Sequence, residues 1–163
     1  NQLTYPILGK LKNHSRGRGM KKFDTPEELQ NFLNTNTRLD SYYLEKYYNY
    51  SKEYRIHISR LGKCFYTNRK LRREGEENRW FFNNTNCVWI LETNPLFDKP
   101  DTWEVIEADC FNALNALGMD IGAADVRVSK DGKHQIIELN SAPSFGEGTL
   151  LAYKNQITKL ITE

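Results

Sequence analysis

Polar and apolar residues alternate without a break through Glu53-Tyr54-Arg55-Ile56-His57-Ile58-Ser59, the period of a half-buried strand. Shorter strand-like runs flank it. Tyr5 to Leu11 is apolar, and Met20 to Phe23 can return as its partner across a polar, glycine-bearing stretch. Ser41 to Tyr48 is aromatic-rich, and Leu61-Gly62-Lys63 turns the chain into Cys64-Phe65-Tyr66-Thr67. Helical signals differ. Thr25-Pro26-Glu27-Glu28 places a capping threonine, a first-turn proline and a capping-box glutamate ahead of a helix that should end near Asn34. Thr102 to Leu117 carries Val105, Ile106, Ala108, Cys110, Phe111, Leu114 and Leu117 as a broad apolar face, and Gly118 ends it. Leu150 to Ile161 reads as a closing helix, while Lys70 to Trp80 and Pro95 to Pro100 read as loops.

Asp131-Gly132 separates two alternating runs and marks a hairpin. A two-residue loop there sets Lys130 opposite Lys133, Val128 opposite Gln135 and Asp125 opposite Glu138. Val126, Val128, Ile137 and Leu139 then face the core, and Asp125, Arg127, Glu138 and Asn140 share the other side. Directly opposed residues hold their Cβ atoms roughly 4.5–5.5 Å apart, where like charges repel. A hard divalent cation bridged by carboxylate and amide oxygens relieves that repulsion. The plain alternative is a pair of solvated acids at strand ends.

Composition narrows the class. The 163 residues suffice for one compact domain or two small lobes, and a net charge of +2 gives no argument for nucleic acid. No apolar run approaches the roughly 20 residues of a membrane helix, and no signal-peptide pattern is present, so a cytoplasmic protein is expected. Cys64, Cys87 and Cys110 match no zinc or redox spacing and read as reduced thiols.

Three further groups carry candidate chemistry. Lys10 sits on a strand ahead of Ser15-Arg16-Gly17-Arg18-Gly19, whose glycines permit close backbone approach to phosphate oxygens. This stretch fits neither the Walker nor the dinucleotide fingerprint, and a solvated hairpin tip explains it equally well. Leu44-Glu45-Lys46-Tyr47-Tyr48, with Glu53 following, suits an adenine edge and ribose hydroxyls, or simply an aromatic core strand. Arg55, Arg69, Lys70, Arg72, Arg73 and Arg127 form a cationic set; Arg72 and Arg73 read as solvated, and Arg55 and Arg127 as strand-borne. His14, His57 and His134 show no catalytic partner pattern, and His57 is expected to pack or bond locally.

In this order, Pro6-Ile7-Leu8-Gly9-Lys10 with Ser15 to Met20, Leu44-Glu45-Lys46 with Glu53-Tyr54-Arg55, and Asp125 with Glu138-Leu139-Asn140-Ser141-Ala142-Pro143, the chain resembles the ATP-grasp family of carboxylate–amine ligases. The resemblance spans nearly the whole chain, and its last set is the most specific. It implies an α+β fold of two lobes with antiparallel sheets and packed helices, residues 1–50 and 51–163, with ATP held between them.

The resemblance also implies roles. Lys10 contacts ATP phosphates, and Ser15, Gly17, Arg18 and Gly19 belong to the flap over them. Glu45, Lys46 and Tyr48 line the adenine hinge, Glu53 holds the ribose, and Lys70 or Arg69 reaches the γ-phosphate. Asp125, Glu138 and Asn140 bind Mg²⁺, two ions being usual and Mn²⁺ a substitute. Arg55 and Arg127 stabilise an acyl-phosphate and the tetrahedral species after it, and Ser144, Gly146 and Thr149 meet the substrate. The implied reaction joins a carboxylate to an amine with release of ADP and phosphate. The family usually carries an earlier domain and another lysine before the glycine loop, whereas here Tyr5-Pro6 arrives almost at once. The chain is therefore read as a fragment or as a minimal version, with an upstream domain or partner chain completing the site. The rival reading is a non-catalytic nucleotide- or nucleic-acid-binding module, supported by Arg69 to Arg73 with Tyr66 and Trp80 nearby.

Overall fold

The computed structural model describes residues 4–13, 17–76, 80, 81, 83 and 85–162. Two compact units divide the chain, Asn1–Asn49 and Tyr50–Glu163.

In the first unit, β1 (Ile7–Leu11) lies between β2 (Lys21–Phe23) and β3 (Tyr42–Lys46) in an antiparallel sheet ordered β2-β1-β3. Ile7, Leu8 and Phe23 are its buried apolar residues. Helix α1 (Pro26–Thr35) starts as its sequence dictates: the Thr25 hydroxyl accepts from the Glu28 amide at 3.3 Å, and the Glu28 carboxylate reaches back to the Asp24 amide at 2.7 Å. Phe32 of α1 meets Phe23 and Tyr42 at ring-centroid distances of 5.0 and 5.1 Å, which ties the helix to the sheet.

The second unit is built on an antiparallel sheet ordered β6-β5-β4-β7-β8. Its strands are β4 (Lys52–Ser59), β5 (Lys63–Arg72), β6 (Cys87–Leu91), β7 (Ile121–Val128) and β8 (His134–Asn140). Helix α2 (Trp103–Ala116) covers one face, and α3 (Glu147–Thr162) reaches the other through Tyr153 and Gln156. Tyr54, Ile56, Ile58, Ala124, Val126 and Val128 pack with Trp103, Ile106, Cys110 and Leu114 of α2 as one core. Cys64, Cys87 and Cys110 form no disulfide.

Several expectations change. Lys70, Leu71 and Arg72 belong to β5 and not to a loop, because their backbones pair with Trp89, Val88 and Cys87 of β6, a strand the sequence reading passed over. Of the expected helical face, Val105 and the C-capping Leu117 are 56% and 63% exposed, Ala108 is also exposed, and Trp103 takes the buried place instead. The β7–β8 connection is not a two-residue loop. The Ser129 amide bonds Lys133 O at 2.9 Å, the Gly132 amide bonds Ser129 O at 3.1 Å, and Gly132 has φ 80°. This is a three-residue loop with its glycine left-handed. Val128 consequently faces His134, and Arg127 faces Gln135. A bulge between Asp125 and Val126 leaves Ile137 unpaired and restores the expected opposition of Asp125 and Glu138. Ile136 therefore joins Leu139 against the core, in place of Ile137.

The buried face of α2 can be tested directly. Ile106→Ala should lower unfolding free energy by about 2–5 kcal/mol through lost packing, whereas Val105→Ala, at a site 56% exposed, should change it by under about 0.5 kcal/mol. Urea titration of both variants measures the difference.

Candidate functional site

On the sheet face turned away from α2, consecutive inward positions of β4 carry Glu53, Arg55, His57 and Ser59. The neighbouring strands bring Lys70 beside Glu53, and Asp125 and Arg127 on the other side. Strand pairing thus sets acids against bases across three strands. Glu53 Oε1 accepts from Lys70 Nζ, and Glu53 Oε2 accepts from Arg127 Nε at 2.9 Å. Arg55 donates from Nε and Nη2 to the two oxygens of Asp125 at 2.7 and 2.9 Å, and Lys70 Nζ also reaches Asp125 at 3.5 Å. Glu53, Lys70, Asp125 and Arg127 are all buried. Two aromatic rings border the group: Trp89 lies 4.8 Å from the Arg55 guanidinium and 4.9 Å from Lys70 Nζ, and Tyr50 lies 4.2 Å from the Arg127 guanidinium.

Burial alone would raise the Asp125 pKa, but the Arg55 hydrogen bonds and the charges of Lys70 and Arg55 outweigh it and hold the group below the ordinary carboxylate range. Burial likewise opposes the charge on Lys70, and Glu53 and Asp125 reverse the sign and raise its pKa. Asp125 is therefore a carboxylate and Lys70 an ammonium at neutral pH. His57 behaves differently. Burial, with the Arg55 charge adding to it, lowers its pKa to about 4, and Nδ1 lies 3.0 Å from the Tyr153 hydroxyl. It is a neutral packing residue at neutral pH, in keeping with its sequence reading.

Glu138 faces Asp125 across the hairpin, and Asn140 donates from Nδ2 to Glu138 Oε1 at 2.9 Å. Asp125, Glu138 and the Asn140 carbonyl offer hard oxygen donors of the kind Mg²⁺ takes. Among the described residues no three of His, Cys, Asp and Glu converge as a metal set, so any ion here would rely on the amide as well as the two acids. Asp125 already serves Arg55, and would share its oxygens.

The remaining sequence-nominated residues fall in three places. In the first unit, Lys10 pairs with Glu45 at 2.5 Å, while Gly17 (φ 69°) and Gly19 (φ 71°) make a turn around exposed Arg18. Glycine suits position 19 because its left-handed φ strains any other side chain, and a Cβ would also displace Leu11 Cδ1, 2.4 Å away. Lys46 is the last residue of β3, Tyr48 follows it, and Ser15 lies outside the described residues. In the second unit, Arg69 projects to the face opposite Lys70 and donates to Leu96 O at 2.6 Å and Phe97 O at 3.2 Å. Alternation along β5 therefore separates the two candidate γ-phosphate residues, and Lys70 alone joins the charged cluster. Ser144, Gly146 and Thr149 line a cleft of about 430 Å³ that Arg55 also borders.

Sequence reasoning missed Trp89, Leu91, Asn68 and Phe145, which line the same cleft. A signal existed for the first two: Cys87-Val88-Trp89-Ile90-Leu91 is a short apolar run of the kind that forms a strand.

No protein-family model matches the sequence. Among solved structures, the chain is similar to D-alanine–D-alanine ligase from Bacillus anthracis complexed with ATP, with TM-score 0.63 and 19% identity over 88% of this chain and 45% of that one. It is similar to the ATP-grasp ligase PsnB complexed with minimal precursor, with TM-score 0.60 and 14% identity over 88% of this chain and 42% of that one. It also matches L-amino acid ligase from Bacillus licheniformis, with TM-score 0.59 and 20% identity over 94% of this chain and 35% of that one. The chain spans less than half the length of each of these three proteins. The likeness establishes the fold: this is the α+β ATP-grasp architecture that the motif order implied. Among the described residues no helix is long and apolar enough to cross a membrane.

Two measurements probe the cluster. Glu53→Leu strands two buried cations and should cost about 3–5 kcal/mol, whereas Asp120→Ala, which removes the exposed Arg60 pair, should cost under about 1 kcal/mol. Urea titration distinguishes them. The depressed His57 pKa makes the unfolded chain bind the extra proton, so stability should fall as pH drops from about 6.5 toward 4. His57→Gln should flatten that part of the pH–stability curve.

Proposed function

We propose that this chain supplies the ATP-binding and activating part of a carboxylate–amine ligase. The observation that carries the reading is the ion-pair ladder of buried Glu53, Lys70, Asp125 and Arg127 with half-buried Arg55, which ends beside exposed Glu138 and half-buried Asn140. Fixed cations beside hard oxygen donors suit a polyphosphate whose charge grows and shifts during transfer.

In this reading the first unit binds ATP phosphates through Lys10 and the backbone of Gly17, Arg18 and Gly19, with Ser15 in the same loop. Glu45, Lys46 and Tyr48 serve the adenine end, and Glu53 takes the ribose. Because both Glu53 oxygens already accept from Lys70 and Arg127, its ribose role requires it to share them. Lys70, whose Nζ reaches Asp125 at 3.5 Å while Arg69 projects to the opposite face, takes the γ-phosphate role that was open between the two.

Asp125, Glu138 and Asn140 would hold Mg²⁺, which supplies charge neutralisation for the phosphate oxygens. A substrate carboxylate oxygen attacks the γ-phosphorus, and the bond to the β-phosphate oxygen breaks to release ADP. The amine nitrogen then attacks the activated carbonyl carbon, the carbon–oxygen bond to phosphate breaks, and the amine loses a proton. Arg55 and Arg127 stabilise the negative charge of these species, and Ser144, Gly146 and Thr149 position the carboxylate. A second domain or chain supplies the rest of the acceptor site.

The test is ADP release with Mg²⁺, ATP and a panel of carboxylates and amines. AMP and pyrophosphate as products reject the acyl-phosphate route, and ATP binding without turnover in the complete protein favours a binding module. Mn²⁺ titration at saturating ATP should show weaker metal binding for folded Asp125→Asn and Glu138→Gln, and Arg127→Ala should lower turnover more than ATP affinity.

A further inference from the structure

The cleft beside the cluster has a one-sided chemistry. Of the residues lining its roughly 430 Å³, Arg55 is the single charged one, and no acid is among them. Asp125 occupies Nε and Nη2 of that guanidinium, which carries five N–H donors in all. The walls are Trp89, Leu91, Tyr66 and Phe145. Leu91 and Phe145 are 43% and 46% exposed although both are large and apolar. Tyr66 reaches the cleft because position 148 is glycine: a Cβ there would lie 2.9 Å from the tyrosine hydroxyl oxygen. The cleft is therefore open, apolar along its walls and cationic at one end.

We infer that this cleft selects carboxylates bearing an aromatic or branched apolar group, with the acid directed to Arg55 and the apolar group held by Trp89, Leu91 and Phe145. The inference rests on the ligase reading and names its substrate class. An ammonium group finds no counter-ion among the lining residues, so the amine acceptor is excluded from this cleft. A short carboxylate without an apolar body leaves the walls solvated and gains little from them.

The experiment needs no turnover. Binding of phenylacetate, acetate and phenethylamine to the full chain is followed by calorimetry without nucleotide, and Mg²⁺–ATP binding is measured separately. Phenylacetate should bind at least about tenfold more tightly than either other probe, a difference of about 1.4 kcal/mol. Leu91→Glu, at an exposed position lining the same cleft as Arg55, should abolish that preference, and Phe145→Ala should weaken it. Both variants are checked for an unchanged melting transition, and either one that folds suffices. Equal binding of the three probes, or a preference untouched by a folded variant, overturns the inference. If phenylacetate binds as expected but ATP does not, the ligase reading fails while the cleft assignment stands. If ATP binds and phenylacetate does not, the reverse holds.

Discussion

Five charged groups share one face of a sheet, four of them buried, and their mutual neutralisation is the condition for that face to exist. A buried carboxylate or ammonium costs several kcal/mol unless partnered. Antiparallel pairing of β4 with β5 and β7 supplies the partners, because it sets Glu53 between Lys70 and Arg127 and sets Arg55 beside Asp125. The sheet cannot slip by one residue without sending these charges into the core of Ile56, Val126 and Ile106. Electrostatics and hydrophobic burial thereby specify the same register from opposite sides.

The same sheet face also changes character along its strands. At the Ser59 end, α3 seals it: Tyr153 meets His57, and Gln156 donates to the Ser59 hydroxyl at 2.6 Å. At the Glu53 end the helix does not reach, and charge replaces apolar cover. His57 and Arg55, two residues apart on β4, mark the border, one held neutral by burial and the other held charged by Asp125. The cleft lies along this border, which is why it combines aromatic walls with a guanidinium.

Much of this was legible in the sequence. Strict alternation gave β4 and the division between its faces, although the polar face is not solvated but buried at Glu53, His57 and Ser59, and Thr25-Pro26 and Gly118 gave helix ends. The motif order gave the ATP-grasp architecture. Other features were hidden for physical reasons. The charges of Lys70 and Arg72 look solvated when read locally, yet their strand forms because Val88 and Trp89 lie alongside, a pairing that no local pattern encodes. Arg69 and Lys70 look equivalent as neighbours, and strand alternation sends them to opposite faces. Cluster formation is a property of which strands meet. Val105 lies on the apolar stripe of α2 yet stays exposed, because a single sheet face covers only part of that stripe.

The hairpin carries a consequence for how such chains can diverge. A tight two-residue turn with regular pairing and a three-residue turn with one bulged residue place Asp125 opposite Glu138 at the same sequence separation. Spacing along the chain is therefore blind to which of the two is present. At that fixed spacing, shortening the turn by one residue requires Ile137 to re-enter regular pairing, and the three-residue turn requires it to stay out. While the spacing between the two acids is kept, turn length and strand irregularity thus change only as a coupled pair, and Asp125 and Glu138 stay in step.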